Sequence, residues 1–303
     1  MSLPPQKHTQ ALVTLLIGAK FQTRWEKLCR ENWENYARRC ECDLIILSEP
    51  LDSSPRAQGR SPAWQKCLVP ELKALAGYRQ IAWVDSDIFF NPCTTANLFA
   101  GVPEPLVGAV SSFADPNEED AAEIFRRMAT LLDPERDPQK PGTSPEDVYR
   151  NYGPGLEALP KVFNSGVLVL SPHHHAELFR HVYDHYEDRG NPSYFENVPL
   201  SYELVRRDWV HWMDPKFNHL WAWSKHLNYP FMYDWRPRSI RDKMLRRLAK
   251  WIGNDYEHRV AVACATSALL NCHLLHFAGE AKEMEWVDMK AAIAGRVSHL
   301  GAR

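Results

Sequence analysis

The stretch Gln80-Ile81-Ala82-Trp83-Val84-Asp85-Ser86-Asp87-Ile88-Phe89-Phe90 decides the reading of this chain. It begins as an unbroken apolar run, the pattern of a buried strand. Two carboxylates follow, two residues apart. On a strand, residues i and i+2 face the same side, so Asp85 and Asp87 can converge on one point. Two carboxylates at the end of a buried strand are costly unless a cation sits between them. A hard divalent ion with oxygen ligands fits that place, and a diphosphate often completes its ligand set. Asn91-Pro92 then ends the strand. Two other readings stay open on these residues alone. One is a pair of solvated aspartates opening a turn. The other is the Asp-x-Asp-x-Thr nucleophile loop of phosphatases, where Phe89 occupies the place of Thr or Val.

Upstream, residues 11–17 read as a buried parallel strand closed by Gly18, and 21–39 as one helix with Trp25, Leu28, Cys29, Trp33 and Tyr36 near helical spacing. Residues 43–47 form a second short strand. Ser61-Pro62 opens a helix expected to run to about Ala76, with Pro62 at a tolerated first-turn position. Strand, helix, strand, helix, strand is the signature of an α/β parallel sheet, and such sheets bind ligands at the carboxyl ends of their strands. Gly18 and the Asp85/Asp87 pair both lie at such ends.

Downstream, 106–110 is a further strand. Residues 115–161 change character: one helix is expected near 119–132, and Pro134, Pro138, Pro141, Pro145, Pro154 and Pro160 leave little room for more regular structure, so the segment reads as an insertion or lid. Residues 162–170 return to a buried strand headed by Asn164-Ser165-Gly166, where the glycine permits close backbone approach. Ser171-Pro172 opens a helix carrying His173, His174 and His175, which cannot share one helical face and so form no metal site. Aromatics crowd 194–223, from Tyr194 and Phe195 to Trp221 and Trp223, and one or two of them are expected to serve as ligand platforms. Residues 236–250 hold seven Lys/Arg against one Asp, with Ile240, Met244, Leu248 and Trp251 at helical spacing. This is the pattern of a basic amphipathic helix that rests on an anionic membrane or simply presents a solvated face. Finally, 273–276 is a short apolar strand ending in His276, followed by a turn at Gly279 and then Lys282. His276 with two carboxylates makes a mixed site suited to a borderline ion such as manganese, and Lys282 offers a point charge for a phosphate.

Composition sets the outer limits. The chain has 303 residues, 45% hydrophobic and 24% charged, with net charge −2, which is an ordinary globular balance with no case for nucleic-acid binding. Seven cysteines form no paired framework and suit a reducing, cytoplasmic location; Cys40-x-Cys42 has no second ligand pair nearby to complete a zinc site. The first ten residues lack the signal-peptide pattern, and the apolar run at 11–17 is too short to cross a bilayer. The expected organisation is a flexible tail at 1–10, one domain at 11–286 with 115–161 inserted, and a C-terminal tail at 287–303.

Taken together, these motifs resemble the GT-A fold glycosyltransferases, especially the retaining group that includes glycogenin and the lipopolysaccharide galactosyltransferases. Asp85-Ser86-Asp87 resembles the DxD motif. Asn164-Ser165-Gly166-Val167 is similar to the family's strand head, and Glu196-Asn197-x-x-Leu200 is a looser likeness of its Asp-Gln-x-x-Leu. His276-x-x-Gly279-x-x-Lys282 resembles the closing His-x-x-Gly-x-x-Lys, and Lys66 stands where the family often has a donor-binding Arg. The chain departs from the pattern at Glu196-Asn197 and in having Glu283-Met284 where the family has Pro-Trp after the Lys.

The resemblance implies a Rossmann-like, mixed but mostly parallel sheet flanked by helices. It implies transfer of a hexose from a nucleotide sugar, a UDP-sugar, to an acceptor hydroxyl on a carbohydrate, glycolipid or protein, with retention. Asp85, Asp87 and His276 would hold Mn2+ or Mg2+ against the donor diphosphate. Gly18, Lys66, Ser165, Gly166, Gly279 and Lys282 would line the donor site. Asn164, Glu196 and Asn197 would border the sugar, with Glu196 placed as nucleophile and Asn197 as the alternative polar partner. Two other functions remain on sequence grounds: a carbohydrate-binding protein of the same fold without activity, and a nucleotidyltransferase, which usually needs a Gly-rich phosphate loop near its first strand where this chain has only Gly18.

Overall fold

The computed structural model describes residues 5–132, 144–153, 155–190, 195–233, 239–251 and 255–295. In chain order its elements are β1 (Gln10–Leu15), α1 (Ala19–Leu28), α2 (Arg30–Arg39), β2 (Asp43–Leu47), α3 (Pro55–Gln58), β3 (Gln80–Val84), β4 (Ile88–Phe90), β5 (Val107–Ser111), α4 (Glu118–Leu132), α5 (Pro145–Tyr152), β6 (Phe163–Leu170), α6 (Pro172–His185), α7 (Asn197–Val205), β7 (Val210–Trp212), β8 (His219–Leu220), α8 (Trp221–Leu227), α9 (Ile240–Trp251), α10 (Tyr256–Leu270), β9 (Leu274–His276) and α11 (Met289–Ile293).

The main sheet has six strands in the order β2-β1-β3-β6-β5-β7. The pairs β1/β2, β1/β3 and β5/β7 are parallel, while β6 is antiparallel to both β3 and β5. Five strands therefore run one way and β6 alone is reversed. The mixed, mostly parallel α/β sheet expected from the sequence is present, and the reversal has a consequence for the site. It brings the amino-terminal head of β6 beside the carboxyl end of β3, with Val84 opposite Val167.

Helices cover both faces of the sheet. One face packs against Trp25, Trp33, Tyr36, Leu269 and Phe277, and the other against Trp64, Leu68, Phe179 and Leu204. A second, three-stranded sheet, β4-β9-β8, stands beside the carboxyl end of β3. Its edge strand β4 is held by α2: Asn32 Nδ2 donates to the Phe90 carbonyl at 2.7 Å, the Phe90 N–H donates to Asn32 Oδ1 at 2.9 Å, and Trp33 Nε1 donates to the Ile88 carbonyl at 2.9 Å. These side chains satisfy backbone groups that an uncovered edge would leave without partners.

Four local expectations need correction. Residues 80–90 are not one strand: β3 belongs to the main sheet, β4 to the small one, and Asp85 to Asp87 form the connection between them. The helix expected over 21–39 is divided at Cys29 into α1 and α2. The segment after Ser61 is a 3-10 helix, Pro62–Glu71, with a second short 3-10 turn at Lys73–Leu75; Pro70 lies inside the first and removes a backbone donor. The 115–161 segment holds α5 as well as α4. Pro145 does not break that helix but starts it, because Ser144 caps the Asp147 N–H and proline at the first turn needs no partner.

Tyr149, Tyr152 and Val198 bury α5 against α7. Within 287–303, α11 packs onto the core through its fully buried Ala292. Residues 1–4, the prolines between 133 and 143, Pro154, Tyr194, Arg236, Arg238 and residues 296–303 lie outside the described residues.

Candidate metal and donor site

The acid pair sits where the two sheets meet. The Asp85 N–H donates to the Gly166 carbonyl at 2.8 Å, continuing the β3–β6 ladder by one step. On the other side β4 pairs with β9 in antiparallel register, Ile88 opposite His276, and the Phe277 N–H donates to the Asp87 carbonyl at 2.9 Å. Asp85 is thus fixed by the large sheet, Asp87 and His276 by the small one, and the turn through Ser86 joins them. The ligand atoms of the three side chains lie within 4.8 Å of one another, the one such group of three or more metal-ligating residues among the described residues. His276 Nε2 is 3.3 Å from Asp87 Oδ1 and 3.9 Å from Asp85 Oδ2.

The imidazole is oriented from behind. His276 Nδ1 lies 2.9 Å from Asn218 Oδ1. Asn218 is itself fixed, because its Nδ2 donates to Asn164 Oδ1 at 3.0 Å and to the Asn164 carbonyl at 3.3 Å. Its amide oxygen therefore accepts, the proton belongs on Nδ1, and the Nε2 lone pair faces the carboxylates. Acceptors facing one another at this range need a proton or a metal ion between them, and two carboxylates with one imidazole form a donor set suited to a divalent ion. Burial pushes the Asp87 carboxyl up; when the facing His276 carries a second proton on Nε2, its charge and hydrogen bond outweigh burial and hold Asp87 below its ordinary value.

Gly166 makes room for this ring. A Cβ built there meets His276 Cε1 within contact distance, lies 2.7 Å from Nδ1 and 2.9 Å from Asn164 Oδ1, closer than real Cβ atoms approach. The close approach expected at this glycine is therefore made by a side chain of the same protein.

Beneath the acid pair lies a second charged cluster. Lys66, 4% exposed, places Nζ 2.8 Å from Glu196 Oε1 and 3.2 Å from each of Asp85 Oδ1, the Ser165 carbonyl and Ser165 Oγ. Burial lowers its ammonium pKa, but the Asp85 and Glu196 charges outweigh that and hold it above the ordinary value. Ser165 Oγ donates to Glu196 Oε1 at 2.7 Å, and the Ser165 N–H donates to Asn197 Oδ1 at 2.6 Å. Glu196, 2% exposed, keeps Oε2 buried without a hydrogen-bond partner among the described residues. A buried carboxylate oxygen left so is costly, which suits a place that a substrate hydroxyl or other donor completes.

The structure thus joins Lys66, Asp85, Asp87, Asn164, Ser165, Gly166, Glu196, Asn197 and His276 in one continuous array. Gly18, Gly279 and Lys282 are bonded to none of these among the described residues. Gly18 precedes α1 at the end of β1 with φ 93°, and Gly279 turns the chain after β9 with φ 73°. Lys282 is exposed, while its neighbours Glu280 and Glu283 are clasped by the buried Lys225.

Two further residues take part in the site without belonging to any of its sequence motifs. Trp83 donates from Nε1 to Asp85 Oδ1 at 2.7 Å, which strand periodicity reveals because the two residues are i and i+2. Asn218 gave no local signal, since only the tertiary fold brings it to His276. Of the aromatics at 194–223, Trp221 and Trp223 are core residues and Trp209 is 38% exposed. His175 is buried against the Ser171 and Pro105 backbone, whereas His173 and His174 are exposed.

No protein-family profile matches the chain, and no curated protein matches its sequence. Among solved structures it is similar to a glycosyltransferase involved in the glycosylation of the major capsid of PBCV-1, with 13% identity and a TM-score of 0.49 over 92% of this chain and 98% of that one. It is also similar to the galactosyltransferase LgtC in complex with donor and acceptor sugar analogs, with 10% identity and a TM-score of 0.43 over 95% and 97%. A third is mouse xyloside xylosyltransferase 1, with 12% identity and a TM-score of 0.39 over 74% and 92%.

Proposed function

We propose that this chain is a metal-dependent glycosyltransferase that moves a hexose from a nucleotide sugar, a UDP-sugar, to an acceptor hydroxyl with retention. The observation that carries the reading is the convergence of Asp85, Asp87 and the Nε2 face of His276 at the carboxyl end of β3, where α/β sheets bind ligands. Mn2+ or Mg2+ held by these three residues supplies positive charge to a leaving diphosphate.

The chain's own groups do the rest. Asn218 keeps the imidazole turned toward the ion site. Lys66 pairs with Asp85 and fixes Glu196 and Ser165 at the head of β6. Asn164, Ser165 and Gly166 line the sugar, with Asn197 bracing Ser165. Glu196 Oε2 either accepts from a sugar hydroxyl or attacks the anomeric carbon, while Oε1 stays paired with Lys66. Lys282, on the turn after Gly279, reaches the diphosphate once the donor is in place. A fixed positive charge acting on a leaving group matters more in the transition state than in the ground state.

In this reading 11–286 is one catalytic domain, with 115–161 as an insertion or lid. Seven free cysteines, six of them buried, support a reducing, cytoplasmic setting. The acceptor is a carbohydrate, glycolipid or protein hydroxyl, and the basic stretch at 236–250 brings the enzyme to a membrane surface. Hydrolysis of UDP-sugars by the full chain, with manganese and with excess chelator, tests the reading. Metal-dependent release of UDP is expected. Binding of sugar without any donor turnover would leave a carbohydrate-binding protein, and turnover of nucleoside triphosphates instead would leave a nucleotidyltransferase.

A further inference from the structure

Ten large hydrophobic side chains stand exposed among the described residues, and five of them belong to α9. Ile240 is 78% exposed, Met244 66%, Leu245 55%, Leu248 53% and Trp251 83%. Among the described residues, none of the four apolar clusters of the core includes a side chain of α9. At helical pitch Ile240, Met244, Leu248 and Trp251 fall within an arc of about 80°. Lys243 and Arg247 border that arc on one side and Arg241 on the other, and all three are exposed. A helix of 12 residues is marginal in water by itself. One that turns an apolar stripe to solvent carries a further cost unless something covers the stripe.

We infer that α9 lies flat in the headgroup region of an anionic lipid surface, with Ile240, Met244, Leu248 and Trp251 inserted and Arg241, Lys243 and Arg247 on the phosphates. Charge selects this occupant. The stretch 236–250 carries seven Lys/Arg against one Asp in a chain whose net charge is −2. An anionic leaflet complements both features of the helix at once, apolar insertion and basic flank. A second copy of the chain does not, because two-fold pairing of the stripe brings the same basic flanks together. Trp251 is the most exposed of the five and stands at the helix end, a place where an indole settles at the membrane–water boundary. No helix among the described residues is long and apolar enough to cross a membrane, so the contact is in the plane of the surface. The chain continues from α9 into α10, which packs in the core and leads to β9 and His276. Together with the glycosyltransferase reading, on which this last step rests, docking through α9 selects a glycolipid among the acceptor classes.

The test is co-sedimentation of the full chain with vesicles of phosphatidylcholine alone and with phosphatidylserine added, without donor or acceptor. Its outcome is therefore independent of whether the site transfers a sugar. Binding is expected only to the anionic vesicles and is expected to weaken with salt. Each basic residue near such a surface is worth about fivefold in binding, so K243Q with R247Q weakens it by about 25-fold. I240N with L248N weakens it by about tenfold or more, and neither pair lowers the melting temperature, because these side chains are exposed. Equal or negligible binding to the two vesicle types overturns the proposal. So does a native dimer that I240N with L248N converts to monomer, or saturable capture of α9 by a soluble protein with no vesicle binding.

Discussion

Two charged clusters share Asp85 and are built in opposite ways. Below it, Lys66, Glu196 and Ser165 form a buried set in which the chain supplies its own cation: two carboxylates meet one ammonium, and the lysine is 4% exposed. Above it, Asp85, Asp87 and His276 form a set of acceptors with which no lysine or arginine pairs directly other than Lys66 on Asp85, among the described residues. Asp85 divides its oxygens between the two. Oδ1 receives Lys66 and Trp83, and Oδ2 faces His276. The difference teaches what each cluster is for. The lower one is electrostatically complete apart from one oxygen of Glu196 and holds the strand ends in place. The upper one is a set of facing acceptors that a proton on His276 or a divalent ion would complete.

The largest effect expected from breaking this distinction is at Asp87. Asp87→Asn removes a ligand from the upper cluster while leaving the lower one intact. Donor turnover should fall by about three orders of magnitude or more, and the melting temperature should hold, since no fold contact beyond the site depends on that charge. Steady-state kinetics with a thermal melt check both parts.

Lys66→Met attacks the other cluster and should read out differently. It leaves Glu196 and Asp85 with uncompensated charge in a buried place, which costs about 3–5 kcal/mol of stability. Denaturant unfolding measures this, and adding Glu196→Gln should recover much of the loss. An additive result in the double variant would show that the two residues are not coupled.

Two substitutions sharpen the boundary between the clusters. Asn218→Ala frees the imidazole from its partner, and Gly166→Ala drives a methyl into the ring. Each should weaken manganese binding about 10- to 100-fold, with little effect on the Lys66 cluster. Calorimetric metal titration checks them.

The smallest effect belongs to Lys282, which stands outside both clusters. Lys282→Ala should lower turnover about tenfold and donor affinity less, and Lys282→Arg should restore only part, because a planar fork does not replace a compact ammonium. Turnover within about twofold of wild type would remove Lys282 from the site.

Much of this was legible in the residues. The alternation of strands and helices gave the α/β sheet, and the residue types at Asp85, Asp87 and His276 gave a metal-ligand set whose members the fold does bring together. The physical reason inferred for the acid pair was nonetheless incorrect. Strand periodicity would align Asp85 and Asp87 on one side of a single strand, whereas they converge because the chain turns at Ser86 from one sheet into another. Apolar runs on both sides of the pair look alike in sequence whichever sheet they join. The reversal of β6, which carries the Asn164-Ser165-Gly166 head to Asp85, was likewise hidden, since strand direction is a property of connections and not of composition. Pro145 misled for a related reason: proline breaks a helix interior but favours its first turn, and position within the element decides which. Asn218 had no local mark at all.

The central claim is that the upper cluster is a metal site. Calorimetric titration of Mn2+ into the full chain, repeated with Asp87→Asn and His276→Ala, tests it most directly. One manganese ion should bind per wild-type chain, binding should be lost in both variants, and donor hydrolysis should be abolished by excess chelator and restored by manganese. Unchanged manganese binding in both variants, or full hydrolysis in excess chelator, would contradict it.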